Sequence, residues 1–317
     1  MVSIVAIGGL HFGSLVNQNE VAKILDLGVK NGIDLIDTAP LYGNGFSEEI
    51  IGQYFAKIPN RPRIATKVGL LATTNKVGQF SVTNDKLIKA NICNSVHKSL
   101  KKLKLDNIDI LTLHAFDQTT PIEETVLVVN DLIKQGKINS LSCSNFNPDQ
   151  LKKLIKCCRN TNTQIDSAQV HYNLIERRAE GRFIKLCEDF NLQLHVNRAL
   201  ARGALSSKYL EGIPLSSRAF GSQRIRKWLT SEKLTIISNL NAICKKYDMT
   251  IVDASIMWFK CKNNDARLIV GARSPDQLVE IFKASALEIK PDLISDIEKY
   301  LSNFQLINFS PLKYLEK

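Results

Sequence analysis

The order of strand-like and helix-like segments is the feature that most restricts the fold of this chain. Short aliphatic and β-branched runs alternate with longer segments of helical periodicity along 317 residues. The predicted strands are Ile4–Ile7, Leu35–Asp37, Ile64–Lys67, Ile108–Leu113, Ile138–Cys143, Ser167–Val170, Gln193–Val196 and Leu268–Val270. These runs are largely apolar and lack a regular polar alternation, which is typical of parallel strands that helices cover on the outside.

The segments between and after these runs have the apolar spacing of helices. They are Asn19–Asn31, Ser47–Phe55, Asp85–Leu103, Ile122–Gln135, Pro148–Cys158, Arg182–Phe190, Leu234–Tyr247, Val252–Cys261 and Pro275–Lys283. We expect Asn19 to cap the first helix, Thr83-Asn84 to open the third and Asn147-Pro148 to start the fifth. Two stretches, Thr73–Thr83 and Gly203–Trp228, match neither pattern clearly.

The predicted fold class is α/β, with residues 1–317 forming a single (β/α)8 TIM barrel domain. Eight strand–helix units over about 280 residues favour a closed barrel over an open sheet. No linker rich in Pro, Gly or Ser divides the chain. A doubly wound sheet is the alternative. It is disfavoured because Gly8-Gly9-Leu10-His11-Phe12-Gly13 does not follow the G-x-G-x-x-G pattern and leads into no immediate helix.

The composition restricts the compartment and the class of protein. Hydrophobic residues make up 44% and charged residues 23% of the chain, as in an average globular domain, which excludes low-complexity and collagen-like chains. No apolar run approaches the ~20 residues of a membrane-spanning helix, and we identify no signal peptide. Seven cysteines without a C-x-x-C pair or zinc spacing indicate free thiols, no metal and a cytoplasmic location.

The net charge of +11 permits two interpretations. One is a protein that binds nucleic acid, and the other is an enzyme with a lysine-rich surface. The lysines are spread thinly along the predicted helices, with no clustered basic helix and no aromatic platform. We therefore expect no nucleic-acid partner. A moderate positive field also suits an anionic cofactor or a phosphorylated substrate.

Ionisable side chains follow consecutive predicted strands, where the active sites of barrels are built. Asp37, Lys67 and His114 each come at the end of a strand, and Tyr42 lies on the loop after Asp37. Singly, they could be a loop cap, a surface lysine or a core histidine. Together, a lysine paired with a carboxylate can lower the pKa of a phenol, and an imidazole can polarise a carbonyl. The set predicts proton transfer to and from a carbonyl oxygen, with Tyr42 as acid and base.

Further motifs occur in order along the chain. They are Gly32-Ile33-Asp34-Leu35-Ile36-Asp37-Thr38-Ala39 with Tyr42-Gly43 and Ser47-Glu48, Thr66-Lys67, Leu113-His114 with Asp117, Ser142-Cys143-Ser144-Asn145-Phe146, Gln169 with Tyr172-Asn173, Leu200-Ala201-Arg202-Gly203, and Gly271-Ala272-Arg273-Ser274-Pro275 with Gln277-Leu278. With these motifs the chain resembles the aldo-keto reductase family over nearly its full length. The resemblance implies reduction of an aldehyde, ketone or keto-sugar by hydride transfer from NADP(H), rather than NAD(H). It also implies that Asp37, Tyr42, Lys67 and His114 form the catalytic tetrad.

The resemblance further implies which residues bind the cofactor across the mouth of the barrel. Ser144, Asn145 and Gln169 are expected at the nicotinamide carboxamide. Leu200 and Gly203 are also expected to bind the cofactor, and Lys208 matches a lysine that relatives place near the pyrophosphate. Gly271, Arg273 and Gln277 are expected at the adenosine 2′-phosphate. Backbone N–H groups at a helix start and an arginine suit a phosphate, and Ser274 is the expected helix cap.

The chain departs from the family pattern at several positions. Asn197 stands where many relatives have an aromatic residue that stacks on the nicotinamide, and Ile281 stands where they commonly have an adenine-binding Asn. His11 and Arg198 are candidates for the substrate pocket. Because Met1 leads almost directly into the first strand, we expect no N-terminal β-hairpin plug.

Two functions remain open after this comparison. The first is a carbonyl reductase acting on a small molecule, such as a sugar, a sugar nucleotide or a small aldehyde. The second is an NADP-binding regulatory or binding module on the same barrel with little turnover, such as the β subunits attached to potassium channels. The presence of all four tetrad residues favours the enzyme. We expect a monomer or a weak homo-oligomer without a membrane partner.

Overall fold

The computed structural model describes residues 3–56, 58–74, 80–215, 217–221, 223–226, 228–262 and 265–304. The strands in these ranges are β1 Val5–Gly8, β2 Leu35–Asp37, β3 Arg63–Val68, β4 Leu70–Thr74, β5 Phe80–Asn84, β6 Ile108–Leu113, β7 Ile138–Ser144, β8 Ile165–His171, β9 Gln193–Asn197 and β10 Arg267–Val270. The α-helices are α1 Gln18–Lys30, α2 Phe46–Phe55, α3 Lys89–Leu103, α4 Ile122–Lys134, α5 Pro148–Thr161, α6 Arg182–Asp189, α7 Arg218–Gly221, α8 Gln223–Arg226, α9 Ser231–Lys245, α10 Ile251–Lys262, α11 Pro275–Ala286 and α12 Pro291–Leu301.

Eight of these strands close a barrel in the order β1-β10-β9-β8-β7-β6-β3-β2. Every neighbouring pair is parallel, and β1 joins the two ends by pairing with both β2 and β10. All residues of β1, β2 and β10 are buried, as expected for strands with packed side chains on both faces. The predicted (β/α)8 barrel is confirmed, and its strands are the eight predicted from the sequence.

A two-stranded hairpin, β4 and β5, forms a separate antiparallel sheet after β3. Its register runs from Leu70 opposite Asn84 to Thr74 opposite Phe80. The prediction that Thr83-Asn84 opens a helix is wrong, because both residues belong to β5 and α3 begins only at Lys89. Residues 75–79, in the stretch that matched neither pattern, lie outside the described part of the chain.

Side-chain caps fix the first residues of two of the helices. Asn17, not the predicted Asn19, caps α1, because its side-chain oxygen accepts a hydrogen bond from the Glu20 N–H at 3.0 Å. The predicted start of α5 is confirmed. The side chain of Asn147 accepts from the Gln150 N–H, and the Gln150 side chain accepts from the Asn147 N–H, both at 2.9 Å. This reciprocal pair satisfies two amides that the helix itself leaves without partners.

The stretch 203–228 contains elements too short to show a period. The 3₁₀ turns Ala201–Gly203 and Ser207–Tyr209 precede the four-residue helices α7 and α8. The last helix, α12, was missed by the sequence prediction. Within the described residues, no helix is both long and apolar enough to span a bilayer.

Charged and amide side chains occupy the amino ends of the barrel strands, and we call this set the basal layer. Arg267 donates to both carboxylate oxygens of Asp34, with Nε 2.9 Å from Oδ1 and Nη2 2.8 Å from Oδ2. Arg63 donates to Asp166 at 3.0 Å and to the side-chain oxygen of Gln193 at 3.1 Å. The basal layer lies at the end of the barrel opposite the carboxyl ends of the strands.

Candidate active site

A cavity of about 830 Å³ opens at the carboxyl ends of the barrel strands. The predicted site residues that line it are His11, Asp37, Tyr42, His114, Ser144, Asn145, Gln169, Arg198, Leu200, Gly203, Lys208, Gly271, Arg273 and Gln277. Lys67 is the one predicted site residue absent from this lining, since it lies buried behind Asp37 with 1% of its surface exposed. The structure thus brings the predicted set together around one cavity.

Asp37 and Lys67 form a buried ion pair at the ends of the adjacent strands β2 and β3. The Lys67 ammonium donates to Asp37 Oδ1 at 2.6 Å and to the carbonyl oxygen of Thr38 at 2.8 Å. Burial alone would lower the pKa of Lys67, but Asp37 and Tyr42 outweigh it, and the pKa is raised. The lysine therefore keeps its positive charge in the interior of the site.

Tyr42 begins a 3₁₀ turn, Tyr42–Gly45, in the loop after β2. Its backbone N–H donates to the Ala39 carbonyl at 3.0 Å. A Cβ atom at Gly43 would lie 2.6 Å from the Phe12 carbonyl oxygen, and Gly43 has φ +55°, so this turn needs glycine there. The turn holds the Tyr42 ring with its centre 5.1 Å from Lys67 Nζ.

The pKa of Tyr42 differs from the sequence prediction. The prediction that the lysine lowers the phenol pKa is correct for the charge of Lys67 taken alone. Burial of the hydroxyl is the largest effect and raises the pKa, and the net pKa of Tyr42 lies above its ordinary value of 10.0. The reason is that the low-dielectric surroundings disfavour phenolate more than the ammonium stabilises it.

His114 follows β6 and faces the Tyr42 ring edge-on, with ring centres 6.1 Å apart. Its backbone is fixed on both sides, since its N–H donates to the Val68 carbonyl at 2.8 Å and its carbonyl accepts from Asn145 Nδ2 at 2.8 Å. Burial and the charge of Lys67 hold the pKa of His114 well below its ordinary value of 6.5. The imidazole is neutral at physiological pH and can donate one N–H.

Ser144, Asn145 and Gln169 form a hydrogen-bonded group beside Asp37. The Ser144 hydroxyl donates to Gln169 Oε1 at 2.9 Å, and Asn145 Nδ2 lies 3.2 Å from the Ser144 oxygen. Gln169 Nε2 donates to Asp37 Oδ1 at 3.0 Å. Asn145 has φ +60°, a conformation that asparagine tolerates better than most residues. The group presents both donors and acceptors at the cavity wall.

The start of α11 also lines the cavity. Ser274 caps this helix as predicted, with its hydroxyl oxygen 3.4 Å from the Gln277 N–H. The Gln277 side chain in turn accepts from the backbone N–H of Arg273 at 3.0 Å. Part of the hydrogen-bonding capacity of Gln277 therefore stabilises the turn, while the half-buried Arg273 brings a positive charge to the cavity.

The segment after β9 forms a third wall. Gly203 has φ +90°, and a Cβ atom there would lie 3.2 Å from the ammonium of Lys208. The Lys208 ammonium sits 4.8 Å from the centre of the Tyr209 ring. Leu200 contributes a half-buried apolar side chain to the same wall. Lys208 thus adds a positive charge to the lining of the cavity.

The positions that depart from the family pattern also line the cavity. Asn197 bonds to Gln169 rather than presenting an aromatic ring, with Nδ2 3.2 Å from Oε1. Ile281 is 5% exposed on the inner face of α11. His11 is 6% exposed, and Arg198 has φ +57°. Both proposed substrate-pocket residues lie in the lining of the cavity.

Some lining residues were missed by the sequence reasoning. Leu70 and Val82 come from the β4–β5 hairpin, and His171 and Glu280 come from β8 and α11. The β-branched residues on either side of 75–79 were the available signal for the hairpin. His171 lies two residues after Gln169 on the same strand, so the period of two could have placed both on one face.

Comparison with known proteins agrees with this geometry. The family model "Aldo/keto reductase family" matches residues 5–302. The chain belongs to the aldo/keto reductase family. It is 28% identical to the NADH-specific methylglyoxal reductase of Escherichia coli, covering 78% of this chain and 77% of the relative. It is also 28% identical to a probable voltage-gated potassium channel subunit beta of rice, covering 90% and 87%.

A solved structure supports the same assignment. The glycerol dehydrogenase of Gluconobacter oxydans superposes with a TM-score of 0.82 at 26% identity, covering 98% of this chain and 94% of that one. Aldo-keto reductases use nicotinamide cofactors. This aldo-keto reductase is accordingly an NAD(P)H-dependent oxidoreductase that acts on carbonyl compounds.

Proposed function

We propose that this aldo-keto reductase reduces a carbonyl group to an alcohol with Tyr42 as the proton donor and with NADP(H) as the preferred cofactor. The observation that carries the proposal is the position of the Lys67 ammonium, 2.6 Å from Asp37 and 5.1 Å from the centre of the Tyr42 ring. A buried cation beside a phenol stabilises the charge that the phenol acquires when it gives up its proton.

The protonation states of the site residues favour the direction of reduction. Burial keeps the pKa of Tyr42 above 10, so at neutral pH the hydroxyl holds the proton that a reduced carbonyl oxygen must receive. The neutral His114 can donate a hydrogen bond to the same oxygen. When Tyr42 has transferred its proton, Lys67 stabilises the phenolate until a proton returns from solvent.

The lining of the cavity supports binding of an extended dinucleotide. Ser144, Asn145 and Gln169 offer donors and acceptors for a carboxamide, and Lys208 offers a cation for a pyrophosphate. The backbone N–H groups at the start of α11 suit a further phosphate. A reduced nicotinamide held by these residues would supply the hydride for the carbonyl carbon. The chain's own contribution is to orient the two reactants and to exclude water from the buried ion pair.

Arg273 supports the choice of NADP(H). A guanidinium recognises a phosphate through paired charged hydrogen bonds, whereas a ribose hydroxyl offers it no charge. The E. coli relative is described as NADH-specific, so the two cofactors must be compared directly. Two measurements test the proposal. The purified protein is titrated with NADPH and with NADH, and its turnover of aldehydes, keto-sugars and quinones is then measured. Absence of turnover with both cofactors across this set would contradict it.

A second candidate function follows from the rice relative, whose name describes a potassium channel subunit. On this alternative the barrel binds a nicotinamide cofactor and acts as a regulatory module with little turnover. The complete Asp37–Lys67–Tyr42–His114 arrangement favours the enzyme. Tight cofactor binding together with no measurable reduction of any carbonyl would favour the module.

The substrate and setting are proposed from the charges around the cavity. His11, Arg198 and Arg202 line it, which suits a hydroxylated or anionic substrate such as a keto-sugar or a sugar nucleotide. The seven cysteines have free thiols, in keeping with a reducing cytoplasm. We propose a single barrel domain that works as a monomer or weak homo-oligomer.

A further inference from the structure

A chain of hydrogen bonds leads from His171 to the carboxylate of Asp37. His171 Nδ1 bonds to Asn197 Oδ1, and these two residues lie opposite each other in β8 and β9. Asn197 Nδ2 donates to Gln169 Oε1 at 3.2 Å, and Gln169 Nε2 donates to Asp37 Oδ1 at 3.0 Å. We call this set the donor chain.

The direction of each donor follows from the charge of Lys67. Its ammonium donates to Asp37, which is therefore a carboxylate and can only accept. Gln169 must turn its nitrogen to Asp37 and its oxygen to Asn197. Asn197 must then turn its nitrogen to Gln169 and its oxygen to His171. The proton of the imidazole is thereby fixed on Nδ1.

The surroundings of His171 keep it neutral. Burial is the largest influence, and with the charges of Arg198, Arg202 and Arg178 it holds the pKa of His171 well below 6.5, although the bond to Asn197 acts in the opposite direction. The side chain is 8% exposed, and within the described residues its Nε2 has no hydrogen-bond partner. The bond from Nδ1 to Asn197 therefore orients the imidazole.

We propose that Asn197 and His171 are positioning residues that hold the Gln169 amide in the orientation in which it donates to the catalytic carboxylate. This proposal rests on the function proposed above, in which Tyr42 exchanges a proton with the substrate. It assigns a role to the position where the family commonly has a stacking aromatic residue. In this protein Asn197 occupies that position and aligns the side-chain amide of Gln169.

The donor chain affects the chemistry through the charge of Asp37. The Gln169 oxygen accepts from Ser144 and from Asn197, so loss of Asn197 leaves one of these two donors and lets the amide turn away from Asp37. The carboxylate then lacks a donor. Because the charge of Asp37 raises the pKa of Tyr42, losing that donor should raise it further.

Two variants without polar side-chain atoms test this effect. In Asn197→Leu and His171→Phe, the basic limb of the pH profile for alcohol oxidation should move upward by about half a pH unit or more. The double variant should shift no further than Asn197→Leu alone, because both changes interrupt one chain. His97→Phe, the same substitution on the exposed face of α3, serves as the control and should leave the profile unchanged.

A conservative variant separates this role from packing. His171→Gln keeps an amide N–H that can donate to Asn197, so it should retain the wild-type pH profile, while His171→Phe shifts it. An unshifted profile in both folded Asn197→Leu and folded His171→Phe would overturn the proposal. So would an equal shift in His97→Phe.

Nitrogen-15 NMR of histidine-labelled wild-type protein tests the direction of the donor chain without relying on turnover or on the folding of a variant. His171 should be neutral, protonated at Nδ1 and bare at Nε2, at neutral pH. A cationic ring, or a proton on Nε2, would refute the donor chain. Failure of the wild type to reduce any carbonyl would instead refute the proposed function, and the NMR result would still decide the donor chain.

Discussion

Replacing Lys67 by Met tests how the buried charge controls proton transfer. The substitution keeps most of the apolar stem and removes the ammonium, which lies 5.1 Å from the centre of the Tyr42 ring. With an effective dielectric constant of about 20, charges at that separation interact by about 3 kcal/mol. That energy corresponds to about 2 pH units in the Tyr42 pKa. Since a cation favours phenolate, its removal raises the pKa.

The expected result is an upward shift of roughly 1–2 pH units in the basic limb of kcat/KM for alcohol oxidation. Asp37, 4% exposed, would also lose its cationic partner. Breaking a buried ion pair by removing one partner costs about 3–5 kcal/mol of unfolding free energy. Urea denaturation followed by circular dichroism measures this loss.

A double variant, Lys67→Met with Asp37→Asn, separates the two effects. It removes the unpaired carboxylate and should recover part of the lost stability, because no uncompensated charge stays buried. It should not recover the catalytic rate, since the ammonium beside Tyr42 is still missing. If folded Lys67→Met kept the wild-type pH profile, the role assigned to this lysine would be wrong.

Three further predictions concern other parts of the molecule. Tyr42→Phe should lower the rate of carbonyl reduction by ~10²–10⁴-fold with nearly unchanged cofactor affinity, because only the proton donor is lost. Stopped-flow kinetics measure the rate, and fluorescence titration measures the cofactor affinity. Near-normal turnover would show that another group is the acid. Arg273→Ala should weaken NADPH binding by roughly 1.5–3 kcal/mol and NADH binding far less. Equal losses of NADPH and NADH affinity in fluorescence titrations would mean that Arg273 does not bind the 2′-phosphate. Burial and the charges of Arg63 and Arg267 lower the pKa of His195 to about 3. Between pH 6.5 and pH 3, His195 is therefore protonated in the unfolded chain and neutral in the folded protein. The free energy of unfolding should fall by roughly 4 kcal/mol over this pH range. Urea denaturation at pH 7, 5 and 4 should show a smaller decline for His195→Leu than for the wild type.

The barrel was predictable because its strands carry a strong local signal. Largely apolar runs with helices between them leave few arrangements other than parallel strands, and polar residues such as Asp37 and His114 then fall at one rim. The hairpin was not predictable in the same way, since Thr83 and Asn84 are equally good residues for opening a helix. Their cross-strand partners, Leu71 and Leu70, decide the outcome.

In the candidate site, too, the sequence predicted what depends on local pattern and not what depends on tertiary surroundings. Residue identity and strand position were enough to gather Asp37, Lys67 and Tyr42. The pKa of Tyr42 was not accessible from sequence, because its direction depends on a balance between burial and the charges of Lys67, Asp37 and Arg198. The predicted cap of α1, Asn19, is two residues away from the observed cap, Asn17. Two asparagines so close together cannot be told apart as caps from the sequence.

The β4–β5 hairpin has a consequence for how this enzyme could be changed. Within the described residues its two strands pair with each other in a sheet separate from the barrel, and Leu70 and Val82 line the cavity. Exchange of residues 70–84 would therefore alter the shape of the entrance while the strand register and the basal layer stay as they are. New substrate ranges could be engineered here by grafting, with the reaction centre left intact.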